Sequence, residues 1–393
     1  MKLRSALLGI AFVVTGIVAV AALFARRGFG AYPSGARLAR TQASPEWRDG
    51  RFVNPQPMWN DFSTALRETF RGNSADEPQS AIPVLANAAA QYAAAPASGL
   101  RVTWFGHSST LIEIDGVRLL TDPIWSRRSS PVTWAGPVRW HAPAVALDSL
   151  PRVDAVLISH DHYDHLDRAT VQSLDDGRVR FIVPLGVGAH LASWGIAESR
   201  ITELDWWQAT RVGAVNVTAT PSRHASGRIN PQSDRTLWAG YAMVGSAHRA
   251  WYSGDTGMQD AFVDIGQRYG PFDVTLIEAG QYDAAWPDWH LGPEQAVEAN
   301  RLVRGRVMIP VHWALFKLAH HAWTEPAERV LAAAKCGEVV NVVVPRPGQA
   351  VEPTTNVVVA RWWPAVPWAS AAERPVIATR RGDPNVRYPT KSC

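Results

Sequence analysis

Cysteine is almost absent: Cys336 and Cys393 are the only two in 393 residues. Neither a disulfide framework nor a thiolate metal site is indicated, because each needs several cysteines at close spacing. One of the pair falls at a predicted helix end and the other at the terminus, so cysteine leaves the compartment undecided. A strong excess of one charge is missing as well. Against 39 Lys and Arg stand 35 Asp and Glu, a formal net charge of +4. The arginines are scattered rather than gathered into a stripe, so no nucleic-acid partner is expected, while a mild attraction to anionic lipid has room. No internal repeat is visible.

Histidine is present in a pattern. From Ile158 the chain runs Ser159-His160-Asp161-His162-Tyr163-Asp164-His165-Leu166-Asp167, straight after the apolar run Val156-Leu157-Ile158. Imidazoles and carboxylates crowded on a turn that leaves a buried strand cannot be satisfied by apolar surroundings, and a divalent cation satisfies them. Imidazole nitrogen with carboxylate oxygen suits zinc, with other divalent transition metals as alternatives, and a calcium cage would recruit no histidine. Positions two apart in extended backbone point the same way. His160 and His162 can therefore grip one ion while the turn swings Asp164 and His165 toward a second. Further donors follow apolar or β-branched stretches: His224 after Pro221-Ser222-Arg223, Asp255 after Tyr252-Ser253-Gly254, and His312 after Ile309-Pro310-Val311. A two-metal hydrolase is expected.

That set, in that order, resembles the metallo-β-lactamase superfamily, whose H-x-H-x-D-H signature is followed by a lone histidine, a bridging aspartate and a last histidine. The match spans most of residues 100 to 345. The resemblance implies two Zn2+ per chain, one held by His160, His162 and His224, the other by Asp164, His165 and His312, with Asp255 between them. It implies an α/β fold, a four-layer αβ/βα sandwich with the ligands on loops at one edge. Phe105-Gly106-His107-Ser108-Ser109-Thr110, Leu120-Thr121-Asp122-Pro123, Glu203-Leu204-Asp205-Trp206-Trp207, His224-Ala225-Ser226-Gly227-Arg228 and His312-Trp313-Ala314-Leu315-Phe316 are similar to the branch containing N-acylphosphatidylethanolamine-hydrolysing phospholipase D. The implied activity is zinc-dependent hydrolysis, a hydroxide shared by the metals attacking the phosphodiester of an N-acylphosphatidylethanolamine-like lipid. A lactonase, a sugar-phosphate ester hydrolase and an iron-dependent oxidoreductase remain open on the same fold.

Asp161 and Asp164 are the candidate catalytic carboxylates, Asp161 as a proton carrier by resemblance. Asp122 is either a hydrogen-bonding support to the site or a plain Asp-Pro turn. The stretch His290-Leu291-Gly292-Pro293-Glu294-Gln295-Ala296 resembles the same branch, where a histidine sits near the head group. His290, Tyr282 and Gln281 are the candidate substrate residues, the alternative for His290 being a helix-flanking position before Pro293. His107, His320 and His321 are further candidates. Arg223 and Arg228 flank His224 as bidentate phosphate partners or as surface charges.

Tryptophan is abundant, 18 in all. Trp206, Trp207, Trp286, Trp289, Trp313 and Trp323 fall beside the proposed ligands, where they build an apolar wall, a bilayer-facing rim or ordinary core. At the N-terminus Lys2 and Arg4 precede an uncharged stretch from Ala6 to Ala25, followed by Arg26 and Arg27. About twenty apolar residues match a bilayer's hydrocarbon thickness, so residues 1–27 are expected to be a signal anchor or transmembrane helix. Ala19-Val20-Ala21 offers cleavage as the alternative. Flanking charge points to a cytoplasmic catalytic domain, and export-type architecture to the periplasmic or exported face.

Residues 28–98 read as a linker and N-terminal extension that wraps the domain, with a helical pattern only from Asn60 to Phe70, where Phe62, Leu66 and Phe70 share a side. Residues 99–359 form the hydrolase domain and 360–393 an irregular tail. Strands are expected at 102–105, 110–114 and 117–121, with Asp115-Gly116 as a hairpin turn, and at 153–158, 180–184, 214–220, 236–243, 249–253, 273–278, 306–311 and 339–344. Helices are expected near 167–174, 186–194, 258–268, 293–304 and 325–335.

Overall fold

Two sheets of seven strands carry the structure, a computed structural model that describes residues 25–71, 75–336, 339–355 and 357–389. A short hairpin, β1 (Trp47–Arg48) with β2 (Arg51–Phe52), precedes them. The first sheet contains β3 (Leu100–Trp104), β4 (Thr110–Ile114), β5 (Val117–Thr121), β6 (Ala155–Leu157), β7 (Arg180–Pro184) and β8 (Ile201–Leu204). The second contains β9 (Ala209–Val212), β10 (Val215–Thr220), β11 (Gly240–Val244), β12 (Arg249–Tyr252), β13 (Phe272–Glu278), β14 (Gly305–Val311) and β15 (Asn341–Val342). The last strand, β16 (Ala350–Val351), returns to the first sheet and pairs antiparallel with β3.

The strand orders are β16-β3-β4-β5-β6-β7-β8 and β9-β10-β11-β12-β13-β14-β15. Each begins with antiparallel pairings and ends with parallel ones. The two halves are thus built alike. Asp115 (φ 48°) and Gly116 (φ 81°) turn β4 into β5, the left-handed pair that a two-residue hairpin needs.

Strand alternation makes the layers. Ile112, Leu119, Leu157 and Ile182 of the first sheet share one core with Val217, Tyr241, Leu276 and Ile309 of the second. Their neighbours Leu111, Leu120, Val156 and Phe181 point the other way, toward α3 (Arg168–Leu174) and α4 (Gly188–Ser193). On the far side, Trp251, Ile277 and Met308 pack with residues of α5 (Ala261–Tyr269), α6 (Pro293–Leu302) and α7 (Glu325–Ala333). Apolar faces on both sides of both sheets give four layers, as the α/β expectation has it.

The extension adds two earlier helices, α1 (Gly35–Gln42) and α2 (Phe62–Arg71), and on α2 Leu66 is 60% exposed. The apolar side expected there therefore leaves Leu66 unburied. Strands β8, β9 and β16 lie outside the expected spans, and β11 starts later than expected. The amides of Leu237 and Ala239 bond to Leu185 and Ser159 of the first half rather than to the second sheet. The apolar run from Ala6 lies outside the described residues apart from Ala25. Among the described residues no helix is long and apolar enough to cross a membrane.

Candidate metal centre

The donors lie at strand ends, where the two sheets meet. His160 to His165 occupy the turn after β6, and that turn is tightened by the amides of His165 and Leu166 bonding to the His162 carbonyl at 3.1 and 2.9 Å. Asp255 follows β12, while His312 follows β14 directly. Both sheets thus contribute.

His160 Nε2 stands 2.9 Å from His162 Nδ1, which lies 3.3 Å from His224 Nε2. Three imidazole nitrogens converging with so little separation have the spacing of ligands around one ion. Asp164, His165 and His312 gather with His107 in a second cluster. Asp255 lies between the two. Its Oδ2 is 3.1 Å from His165 Nε2, 3.9 Å from His160 Nε2 and 3.8 Å from His224 Nε2, and its Oδ1 is 3.1 Å from His312 Nδ1. His165 Nε2 and Asp255 Oδ1 are buried without a hydrogen-bond partner. Buried polar atoms are rarely left so, and a cation between them would satisfy both.

Partners behind the donors fix their directions. Asp122 takes Ser159 N at 2.7 Å on Oδ1, and Ser159 Oγ at 2.5 Å, His165 Nδ1 at 2.7 Å and the Tyr252 hydroxyl on Oδ2. Asp122 is therefore a support to the site, not merely a turn residue. His224 Nδ1 faces the Trp289 carbonyl at 3.0 Å, and His107 Nε2 faces Asp164 at 2.9 Å. Backbone strain gathers here too: His107, Asp122, Gln281 and His312 all have positive φ, an uncommon state for these residues that surrounding contacts must enforce.

Burial, joined by the neighbouring imidazoles, holds His160, His224 and His312 well below the usual histidine range, which leaves them as the neutral rings that bind metals. Burial acts the same way on His165, but the Asp255, Asp164 and Asp122 carboxylates outweigh it and raise that group well above its usual value. Burial pushes Asp255 up to about 6 despite the opposing pull of His165. Neutral imidazoles and carboxylates converging in one buried place form a donor set that suits a cation.

Several expected residues sit elsewhere or serve otherwise. Both Asp161 oxygens are taken, by Gly227 N at 2.6 Å and by His190 Nε2 and Thr236 Oγ1 at 3.0 and 2.9 Å. Burial favours its acid form, yet His190 and Arg228 hold it below the usual carboxylate range. Tyr282 points to α7, its hydroxyl 2.8 Å from Glu325, and Gln281 spends its amide on the carbonyls of His312 and Phe316 and on Leu318 N. Of the three candidate substrate residues only His290 lies against the clusters, its Nδ1 2.7 Å from Glu278 and 3.8 Å from Asp255. Arg223 and Arg228 are buried and bonded to protein carbonyls and carboxylates, neither phosphate partners nor surface charges. Trp206, Trp313 and Trp323 are core, whereas Trp289 lies parallel to the His162 ring. Glu278, fully buried at the end of β13, escaped the sequence reading, since one glutamate closing an apolar strand carries no local signal.

A family model described as a beta-lactamase superfamily domain matches residues 117–313. An uncharacterised protein of Mycobacterium tuberculosis (strain H37Rv) is 49% identical over 335 residues, covering 83% of this chain and 89% of that one. N-acyl-phosphatidylethanolamine-hydrolyzing phospholipase D 1 of Caenorhabditis elegans is 33% identical over 309 residues, 72% of this chain and 86% of its own. The isothiocyanate hydrolase from Delia radicum gut bacteria shares the fold, with a TM-score of 0.51 at 18% identity over 64% of this chain and 98% of that one. With its twin sheets and His/Asp clusters, the chain belongs to the metallo-β-lactamase superfamily, as a metal-dependent hydrolase.

Proposed function

We propose that the protein is a binuclear zinc phosphodiesterase of the phospholipase D type, acting on N-acylphosphatidylethanolamine-like lipids. The observation that carries the two-metal reading is the carboxylate of Asp255, set between the His160/His162/His224 cluster and the Asp164/His165/His312 cluster. Those triads would each hold one cation, and Asp255 both. Two such cations, when bound, supply the Lewis acidity that activates water and stabilises charge on a phosphoryl oxygen.

The chain's own residues do the rest. Asp122 keeps His165 Nδ1 occupied so that Nε2 faces the centre, and the Trp289 carbonyl does the same for His224. Glu278 accepts from His290 Nδ1, which leaves Nε2 as a bare nitrogen able to accept a hydrogen from water or a substrate hydroxyl. Trp289, its ring parallel to that of His162 with centroids 6.5 Å apart, offers an apolar surface beside the centre. The lipid reading draws on the C. elegans relative, which is named as a phospholipase D hydrolysing that lipid class. It is joined to a membrane anchor formed by the Ala6–Ala25 run.

A substrate panel tests this. Purified protein should carry close to two zinc equivalents and turn over micellar N-acylated phosphoethanolamine lipid faster than soluble phosphodiesters, lactones or sugar-phosphate esters. Equal or better turnover of a soluble ester would reject the lipid assignment, and bound iron with oxidase activity would reject the hydrolase.

A further inference from the structure

His190 is buried in α4, and both of its ring nitrogens are committed. Nδ1 accepts from the Ala31 amide at 3.1 Å, and Nε2 faces Asp161 Oδ2 at 3.0 Å. A backbone N–H can only donate, so Nδ1 is bare and Nε2 carries the hydrogen, which selects one tautomer. Asp161 stands between His160 and His162. In extended backbone its side chain projects opposite to theirs, so fixing it from behind fixes the direction in which the two imidazoles reach forward.

A second tie runs beside the first. Arg228 Nη1 donates to the carbonyls of Asp161 and Leu166 at 2.8 and 3.0 Å, while its Nε and Nη2 donate to the Gly28 carbonyl at 3.0 and 2.8 Å. The guanidinium lies over the Tyr163 ring, 4.1 Å from its centre, and Trp194 Nε1 donates to the Arg27 carbonyl at 2.9 Å. Backbone groups of Arg27, Gly28 and Ala31, just past the apolar N-terminal run, are thereby bonded to the turn that carries the metal donors or to side chains that brace it. The approach is close. A Cβ on Gly30 (φ 72°) would fall 2.3 Å from His190 Nδ1, and one on Gly28 2.3 Å from the Pro131 carbonyl.

We propose that Asp161 and His190 are positioning residues that fasten residues 27–31 to the H-x-H-x-D-H turn and so set the grip of His160 and His162 on their cation. Asp161 acts through its neighbours. The role requires a metal at the three-histidine cluster and is indifferent to the substrate.

The test is cobalt(II) titration of the full chain, read by visible absorption with no substrate present. His190→Leu removes both bonds. His190→Gln keeps an amide N–H for Asp161 and an oxygen for the Ala31 amide, and Ala31→Pro deletes the arm's donor without touching the core. His190→Leu should weaken one of two cobalt sites by about 10- to 100-fold, the usual range for losing an outer-shell partner, and shift its spectrum. Ala31→Pro should move the same site in the same direction, whereas His190→Gln should restore wild-type binding. A merely structural role would lower melting temperature and leave the affinity and spectrum of folded protein unchanged, and that result overturns the proposal. Should His190→Leu fail to fold, Ala31→Pro decides alone. A wild-type chain that binds only one cobalt or none overturns this proposal together with the two-metal reading, while two normal sites in every variant overturn this one only.

Discussion

Asp122 shows how much one carboxylate can order. Its Oδ2 receives Ser159 Oγ, His165 Nδ1 and the Tyr252 hydroxyl. Asp122→Asn keeps the shape but sets an amide among donors, so metal affinity should fall by about 10- to 100-fold, measured by competition with a chromophoric chelator. Asp234 makes a pH prediction. Burial raises it to about 6, above the ordinary 3.8, so the folded chain holds that proton more tightly than the unfolded one. Its contribution is therefore intact in acid and lost as pH climbs through 6. Asp234→Asn should raise stability at pH 7.5, by no more than about 3 kcal/mol, and change little near pH 4. Thermal melts at both pH values would check it, and equal shifts would refute it. At this scale the sequence disclosed donors whose residue type and spacing suit a metal. Glu278 and His190 stayed hidden because their work depends on partners far along the chain, as do the bonds of Asp161 to His190, Gly227 and Thr236.

Among elements, the long apolar runs were the readable ones. β4, β5, β7, β13 and α6 fall close to the expected spans because alternation or helical period plus a turn residue marks their ends. β9 is an edge strand of Ala-Thr-Arg-Val with exposed positions, and β16 is two residues long, so neither has a pattern to see. The closing ends of β13 and β14 then place His312. A Cβ on Gly280 would come within 2.3 Å of the His312 carbonyl and 2.9 Å of the Trp313 Cβ. Gly280→Ala must push the two strand ends apart, at about 1–3 kcal/mol by the usual cost of overpacking. The expected outcome is a lower melting temperature together with loss of one metal equivalent by atomic absorption. Full metal content would show that the gap opens elsewhere.

Across the whole molecule, Arg223 joins segments from both ends of the chain to the centre. It pairs with Asp288 at 3.0 Å, both side chains being almost wholly buried, and donates to the carbonyls of Gln56, Met258 and Thr379. Asp288 in turn takes Trp59 N and Thr379 N. Arg223→Met should cost about 3–5 kcal/mol in urea unfolding, because it strands a buried carboxylate. A change below 1 kcal/mol would mean that water or another cation replaces it. Four layers could be anticipated from the family resemblance, but these long-range ties could not, since no local pattern announces which extension residue meets which tail residue. The return of β16 to β3 has its own consequence for biosynthesis. On the ribosome, β3 emerges early and its partner among the last strands, so the nascent first half waits with a bare sheet edge open to other chains. That edge stays unpaired until Ala350 and Val351 have been made, so its protection is the last thing synthesis supplies to the first sheet.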